Sequence, residues 1–209
     1  VAAERTASRV SRLATELRLK VTVLLGLAVG ICGPYFALQR IRLFPLRQPP
    51  VVAPDAWIPF SPDWVYPYLT ICVLVPLFPL LATEREALLR YARGLALLCT
   101  LSFAIFLLFP VAGPRPTLVP DHPVYGWLVG VDAPLNSMPS LHAALTTYSF
   151  LFGARVVRWR RGLFPVLACL WGGAIFYSTL ATRQHWLADV PAGIALAWAA
   201  HRWAWRRVR

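Results

Sequence analysis

The chain has 209 residues, 58% hydrophobic and 14% charged, with nine tryptophans and a positive mean hydropathy. That composition excludes an ordinary water-soluble domain and points to a membrane protein. The net charge of +12 is spread over short segments between apolar windows, where it serves insertion and contact with anionic lipid headgroups, so no nucleic-acid partner is expected.

In chain order, residues 1–20 carry Arg5, Arg9, Arg12, Glu16, Arg18 and Lys20 among Val10, Leu13, Leu17 and Leu19, a basic amphipathic segment suited to the cytoplasmic membrane surface. Residues 21–209 then read as one membrane domain. A bilayer span needs roughly 20 mainly apolar residues. Six windows qualify with their interfacial turns: 21–38, 64–81, 94–109, 140–154, 163–180 and 187–203. A cleaved signal peptide would need a small-residue cleavage site, which Gly33-Pro34-Tyr35 does not supply, so the first window reads as a retained helix.

Between the first two windows, residues 39–63 contain Pro45, Pro49, Pro50, Pro54, Pro59 and Pro62, which rule out a regular helix and predict a stiff external loop. Its end, through Phe60, Trp64, Tyr66 and Tyr68, has the aromatic density of a membrane interface. A second external segment, 110–139, carries Gly113-Pro114-Arg115-Pro116, Asp121, His122 and Asp132 and is long enough to fold over an opening. The connections 82–93 and 155–162 are short and basic, predicting antiparallel neighbours.

Lys and Arg near helix ends stay on the cytoplasmic side. With both termini inside, 16 of the 21 basic residues are cytoplasmic; only Arg40, Arg42, Arg47, Arg115 and Arg183 fall outside. The predicted fold class is therefore all-α, an integral membrane bundle of six transmembrane helices, N-in and C-in. Cys32, Cys72, Cys99 and Cys169 each fall in a different window without metal-type spacing and read as inert packing residues.

This topology brings Arg115, His142, His185 and Asp189 to the external end from three separate segments. In His185-x-x-x-Asp189 the spacing of a helical face would let the carboxylate take one imidazole proton and leave the other nitrogen as a nucleophile. The plainer reading is a helix-start cap, but an ionisable pair at a span end is costly without water or a partner. Pro139-Ser140-Leu141-His142 places Ser140 at a plausible N-cap, with helix amides beside it that favour an anion. Alone, that arrangement is ordinary.

Arg115, between two prolines, could present its guanidinium fork to phosphate oxygens, or could simply reach for lipid headgroups. Arg183 would add a second cation. The arginines favour an anion over a cation, so neither a metal nor another cofactor is expected. His122, beside Asp121, reads as part of a solvated turn, and His201 as a partnerless residue near the cytoplasmic end; both are left out of the site.

Arg115-Pro116, Pro139-Ser140-Leu141-His142 and His185-x-x-x-Asp189 resemble the three motifs of the type 2 phosphatidic acid phosphatase superfamily, the lipid phosphate phosphatases. The 136–144 and 178–186 contexts, with Ile58-Pro59-Phe60 upstream, are more similar to the branch of inositol phosphorylceramide synthases and their bacterial relatives. Two departures stand out: Leu108 occupies the position of the first-motif lysine and Thr179 that of the third-motif arginine.

The resemblance implies that His185 attacks phosphorus to form a phosphohistidine. His142 would protonate the leaving alcohol and later activate the acceptor, and Asp189 would orient His185. Arg115, Arg183 and the amides near Ser140 would stabilise the phosphoryl oxygens, with no metal required. It further implies a multi-pass protein of a bacterial plasma membrane, its site facing outside. The substrate would be a phospholipid or lipid phosphate, with water or a lipid alcohol as acceptor. The alternatives are a strict hydrolase of phosphatidate or an isoprenoid phosphate, and a non-catalytic lipid-phosphate binder or transporter.

Overall fold

The computed structural model describes the backbone of residues 2–156 and 163–206; the side chains of 2–15 and of Phe164 fall outside that description. The basic residues Arg158, Arg160, Arg161, Arg207 and Arg209, counted above as cytoplasmic, are likewise outside it. Among the described residues the fold is all-helical, with two isolated β-bridges and no strand.

Helix α1 (Ala2–Leu38) runs without a break from the basic N-terminal stretch into the first apolar window. In the proline-rich segment only a short helix forms, α2 (Ala53–Trp57), with Pro54 in its first turn, where proline's missing N–H costs nothing. A 3-10 turn (Pro62–Trp64), α3 (Val65–Leu69) and α4 (Ile71–Leu81) make the second apolar stretch. Helix α5 (Arg85–Leu108) starts well before the apolar window because its charged first turns are helical too, supported by an Arg90–Glu86 pair at i,i+4. The predicted connection 82–93 therefore shrinks to 82–84.

The second external segment contains α6 (Pro123–Val131), and α7 (Leu141–Val156), α8 (Leu163–Ala181) and α9 (Asp189–Ala204) complete the chain. Among the described residues, three stretches are long and apolar enough to cross a membrane: Glu16–Leu38, Pro62–Leu81 and Arg85–Leu108. Pro165–Ala181 is apolar but shorter. Helices α7 and α9 have 16 residues each, about 24 Å at 1.5 Å per residue, less than the roughly 30 Å hydrocarbon core.

Helix α7 is the axis of the bundle, packed against α4, α5, α8 and α9. Its buried Leu145, Tyr148 and Phe152 meet Leu74 and Phe78 of α4, Tyr91 and Leu95 of α5, and Ile175 of α8 in one apolar core. The Tyr148 hydroxyl donates to the Tyr91 carbonyl at 3.0 Å, and the Tyr91 hydroxyl to the Val75 carbonyl at 2.7 Å. These bonds satisfy both phenols inside an apolar core.

Two sequence expectations change here. Cys32, Cys72 and Cys169 lie on the outer surface of the bundle, and of the four cysteines only Cys99 is buried. His201 has partners: Arg155 Nε donates to its Nε2 at 2.9 Å, and Tyr148 and Trp205 pack against its ring.

The bundle has two chemically different ends. Lys20 donates to the Leu80 carbonyl, Arg155 reaches His201, and the Arg90 guanidinium lies 5.3 Å from the Trp205 ring, so these cations gather at one end. The starts of α7 and α9 and the end of α8 lie at the other.

Candidate active site

Helix α8 closes with Arg183 N–H donating to the Leu180 carbonyl and Gln184 N–H to the Thr179 carbonyl, both at 3.0 Å. This is the Schellman pattern, and it holds Arg183 at φ 54, the left-handed position that normally belongs to glycine. His185 N–H also bonds to the Thr179 carbonyl at 3.0 Å, so the residue sits on a turn, firmly bonded, off the end of α8. Helix α9 begins only at Asp189.

His185 and Asp189 therefore do not share a helical face. The turn brings them together instead, because Asp189 Oδ2 folds back to accept Trp186 N–H at 2.8 Å and lies 3.4 Å from His185 Nδ1. The same oxygen accepts the Ser137 hydroxyl. His185 Nδ1 lies closer still, 2.8 Å, to the Ser137 carbonyl oxygen. A carbonyl only accepts, so Nδ1 carries the proton and Nε2 keeps its lone pair. His185 is 7% exposed and Asp189 1%.

Ser140 caps α7 as the sequence suggests, its hydroxyl accepting Ala143 N–H at 3.2 Å and its own N–H donating to the Asp189 carbonyl at 3.0 Å. The Met138–Pro139 peptide just before it is cis. The close approach of α9 to this helix start needs Gly193, where a Cβ would overlap the Ser140 carbonyl oxygen and sit 3.1 Å from Ala144 N. His142, in the first turn of α7, stacks on Tyr68 with ring centroids 3.8 Å apart and an interplanar angle of 22°. It faces His185 across a centroid separation of 6.2 Å.

Residues 111–113 stitch the third element to this pair. Val111 forms parallel bridges with Arg47 and Asn136, and its carbonyl accepts Ser137 N–H at 3.1 Å. Gly113 N–H donates to the Pro134 carbonyl, and Trp186 Nε1 to the Ala112 carbonyl at 2.7 Å. A side chain at Gly113 would collide with the Gln184 carbonyl, its Cβ lying only 2.8 Å away.

Arg115 leaves this segment with Nη2 donating to the Asp132 carbonyl at 2.6 Å and lying 3.4 Å from Asp132 Oδ2. Asp132 is in turn held by the Tyr35 hydroxyl at 2.7 Å and Gln39 Nε2 at 2.5 Å. The remaining Arg115 nitrogens, Nε and Nη1, are buried with no hydrogen-bond partner among the described residues, as are Asn136 Nδ2 and both amide atoms of Gln184.

Arg183 is placed differently from the other candidates. Its Nη1 and Nη2 donate to the Asp55 and Ile58 carbonyls at 3.0 and 2.9 Å, and Asp55 Oδ1 accepts Leu187 N–H at 2.7 Å. It clamps the proline-rich segment onto the α8–α9 turn. The two departures from the motifs have distinct surroundings: Leu108 is on the outer surface, while Thr179 is buried with its hydroxyl on the Phe176 carbonyl. His122 caps α6, accepting Tyr125 N–H at 3.1 Å, with Asp63 at 3.4 Å.

Sequence reasoning missed Ser137, Asp132, Asn136, Gln184 and Tyr68 as parts of this site. Asn136 and Ser137 stand next to a recognisable motif, but a backbone carbonyl that orients an imidazole leaves no trace in residue type. Asp132 was visible only as a loop acid.

The sequence model of the PAP2 superfamily matches residues 43–203, a stretch that includes every residue just described except Tyr35 and Gln39. No curated protein and no solved structure matches the chain. On the extent of that match, the chain belongs to the PAP2 superfamily.

Proposed function

We propose that the protein is an integral membrane enzyme that cleaves or transfers the phosphate, or phospho-headgroup, of a lipid through a phosphohistidine on His185. The observation that carries this reading is the pairing of two imidazoles: His185, its Nδ1 proton committed to the Ser137 carbonyl, faces His142 at 6.2 Å between centroids. Superfamily membership supports lipid-phosphate chemistry.

In the first step the Nε2 lone pair of His185 attacks phosphorus and the bond to the leaving oxygen breaks, while protonated His142 gives that oxygen its proton. In the second, His142 takes the proton of the incoming water or lipid alcohol, an oxygen–phosphorus bond forms, and the electron pair of the phosphorus–nitrogen bond returns to His185. Arg115 Nε and Nη1 and Asn136 Nδ2, buried donors without partners among the described residues, would bind the phosphoryl oxygens, together with the open first-turn amides of α7 beside Ser140. The route calls on no metal ion.

Six crossings with both termini inside fit the chain if α7, α8 and α9 count as spans with their interfacial turns. The gathering of Lys20, Arg90 and Arg155 at the end opposite His142 and His185 supports an outward-facing site under the positive-inside tendency.

The test is to trap a phosphoenzyme from labelled short-chain phosphatidate, phosphatidylglycerol and isoprenyl phosphate in detergent, with His185→Ala as control. A labelled protein that loses its label in His185→Ala supports the reading. Turnover of any of these lipids by a folded His185→Ala protein overturns it. Free phosphate without added alcohol identifies hydrolysis, and label on an added diacylglycerol identifies transfer.

A further inference from the structure

We infer that Gln184 positions the water that breaks down the phosphohistidine, an assignment that rests on the His185 reading above. Gln184 is 5% exposed, and both Nε2 and Oε1 are buried without a hydrogen-bond partner among the described residues. Its backbone, by contrast, is engaged, the N–H on the Thr179 carbonyl and the carbonyl against Gly113. A buried amide left unpaired on both atoms is costly and rare, and at a reaction site it calls for a ligand that completes it.

The other unpaired groups tied to residues 111–113 are donors only: Arg115 Nε and Nη1, and Asn136 Nδ2. They match phosphoryl oxygens, which only accept. Gln184 differs because Oε1 is an acceptor, and a fully ionised phosphoryl group cannot satisfy it. An O–H beside the phosphorus can.

Water attacking the phosphohistidine has two protons. One passes to His142 as the new oxygen–phosphorus bond forms and the bond to His185 Nε2 breaks; the other hydrogen-bonds to Gln184 Oε1. An alcohol has a single hydroxyl proton, taken by His142, so the glutamine acceptor suits water alone. A neutral amide orients the attacking water without acting as its base.

The experiment uses the full chain in detergent, whichever labelled lipid phosphate the parent turns over, and methanol as a competing acceptor, with Gln184→Leu and the less branched Gln184→Met as variants. Melting temperatures equal to or above that of the parent are expected, since a buried unpaired amide is removed. Phosphoenzyme should form within about threefold of the parental rate and hydrolyse about 100-fold more slowly, raising the ratio of methanolysis to hydrolysis. A lowered melting temperature with unchanged hydrolysis would show a structural amide satisfied by bound water. Parallel loss of hydrolysis and methanolysis would show a general phosphate ligand, and either result overturns the inference. Absence of phosphoenzyme in the unsubstituted protein overturns the His185 reading itself, and this one with it.

Discussion

The imidazole of His185 is oriented first by the Ser137 carbonyl, 2.8 Å from Nδ1, and only second by Asp189, whose Oδ2 lies 3.4 Å away. Asp189 acts largely by holding Ser137 and Trp186 in place. Asp189→Asn should therefore lower kcat by about 100-fold, less than the roughly 10⁴-fold loss when a directly bonded triad carboxylate becomes an amide. Ser137→Ala, which keeps the carbonyl, should cost about tenfold. Steady-state rates on detergent-folded protein decide this; a loss in Asp189→Asn as deep as in His185→Ala would mean the carboxylate acts directly.

His142 is assigned the proton that the leaving oxygen needs. His142→Ala should slow turnover of a lipid substrate by about 10²–10⁴-fold, yet leave phosphoenzyme formation from a p-nitrophenyl ester much less impaired. Equal losses on both substrates would remove His142 from the acid role.

The guanidinium of Arg115 is anchored at Nη2 by Asp132 and lies beside the Tyr125 hydroxyl, with Nε and Nη1 unpaired among the described residues. Lysine cannot keep the anchor and the fork at once, so Arg115→Lys should reduce kcat/KM by about 100-fold. Asp132→Asn, which weakens the anchor but keeps the fork, should cost about tenfold. A kinetic comparison in which Asp132→Asn is the more damaging of the two would contradict this hierarchy.

Arg183 combines a strained backbone with a structural side chain. Arg183→Gly removes a left-handed penalty of about 1–2 kcal/mol and loses two hydrogen bonds of about 1 kcal/mol each, so stability should change little. Arg183→Ala keeps the strain, loses the bonds and should be the less stable of the two. Thermal unfolding measures this, and kcat/KM within about threefold of the parent in Arg183→Gly would match a clamp. A fall of about 100-fold would mark it as a phosphate ligand instead.

Gly193 lets α9 touch the start of α7, where any Cβ meets the Ser140 carbonyl oxygen. Gly193→Ala should destabilise the protein by about 1–3 kcal/mol. It should also reduce activity, because Ser140, Asp189 and His142 lie on the two elements forced apart. Unchanged melting with full activity would show that the contact relaxes without consequence.

The candidate site residues were legible from type and spacing alone. Apolar windows separated by basic turns identified a helical membrane protein, since hydropathy and charge act locally and survive without coordinates. His142, His185, Asp189 and Arg115 stood out because ionisable groups at the ends of apolar spans are costly unless used.

What the tertiary structure decided is how those groups are held, because hydrogen-bond geometry depends on segments far apart in the chain. The four-residue spacing of His185 and Asp189 suggested a helical face, but α8 ends in a left-handed Arg183, and the pair meets across a turn. Only folding brings the Ser137 carbonyl to His185, Asp132 to Arg115, Tyr68 under His142, and the Asp55 and Ile58 carbonyls to Arg183. Backbone acceptors and unpaired amides carry no sequence signature, so the sequence could name the candidate groups, whereas the fold alone assigned their partners.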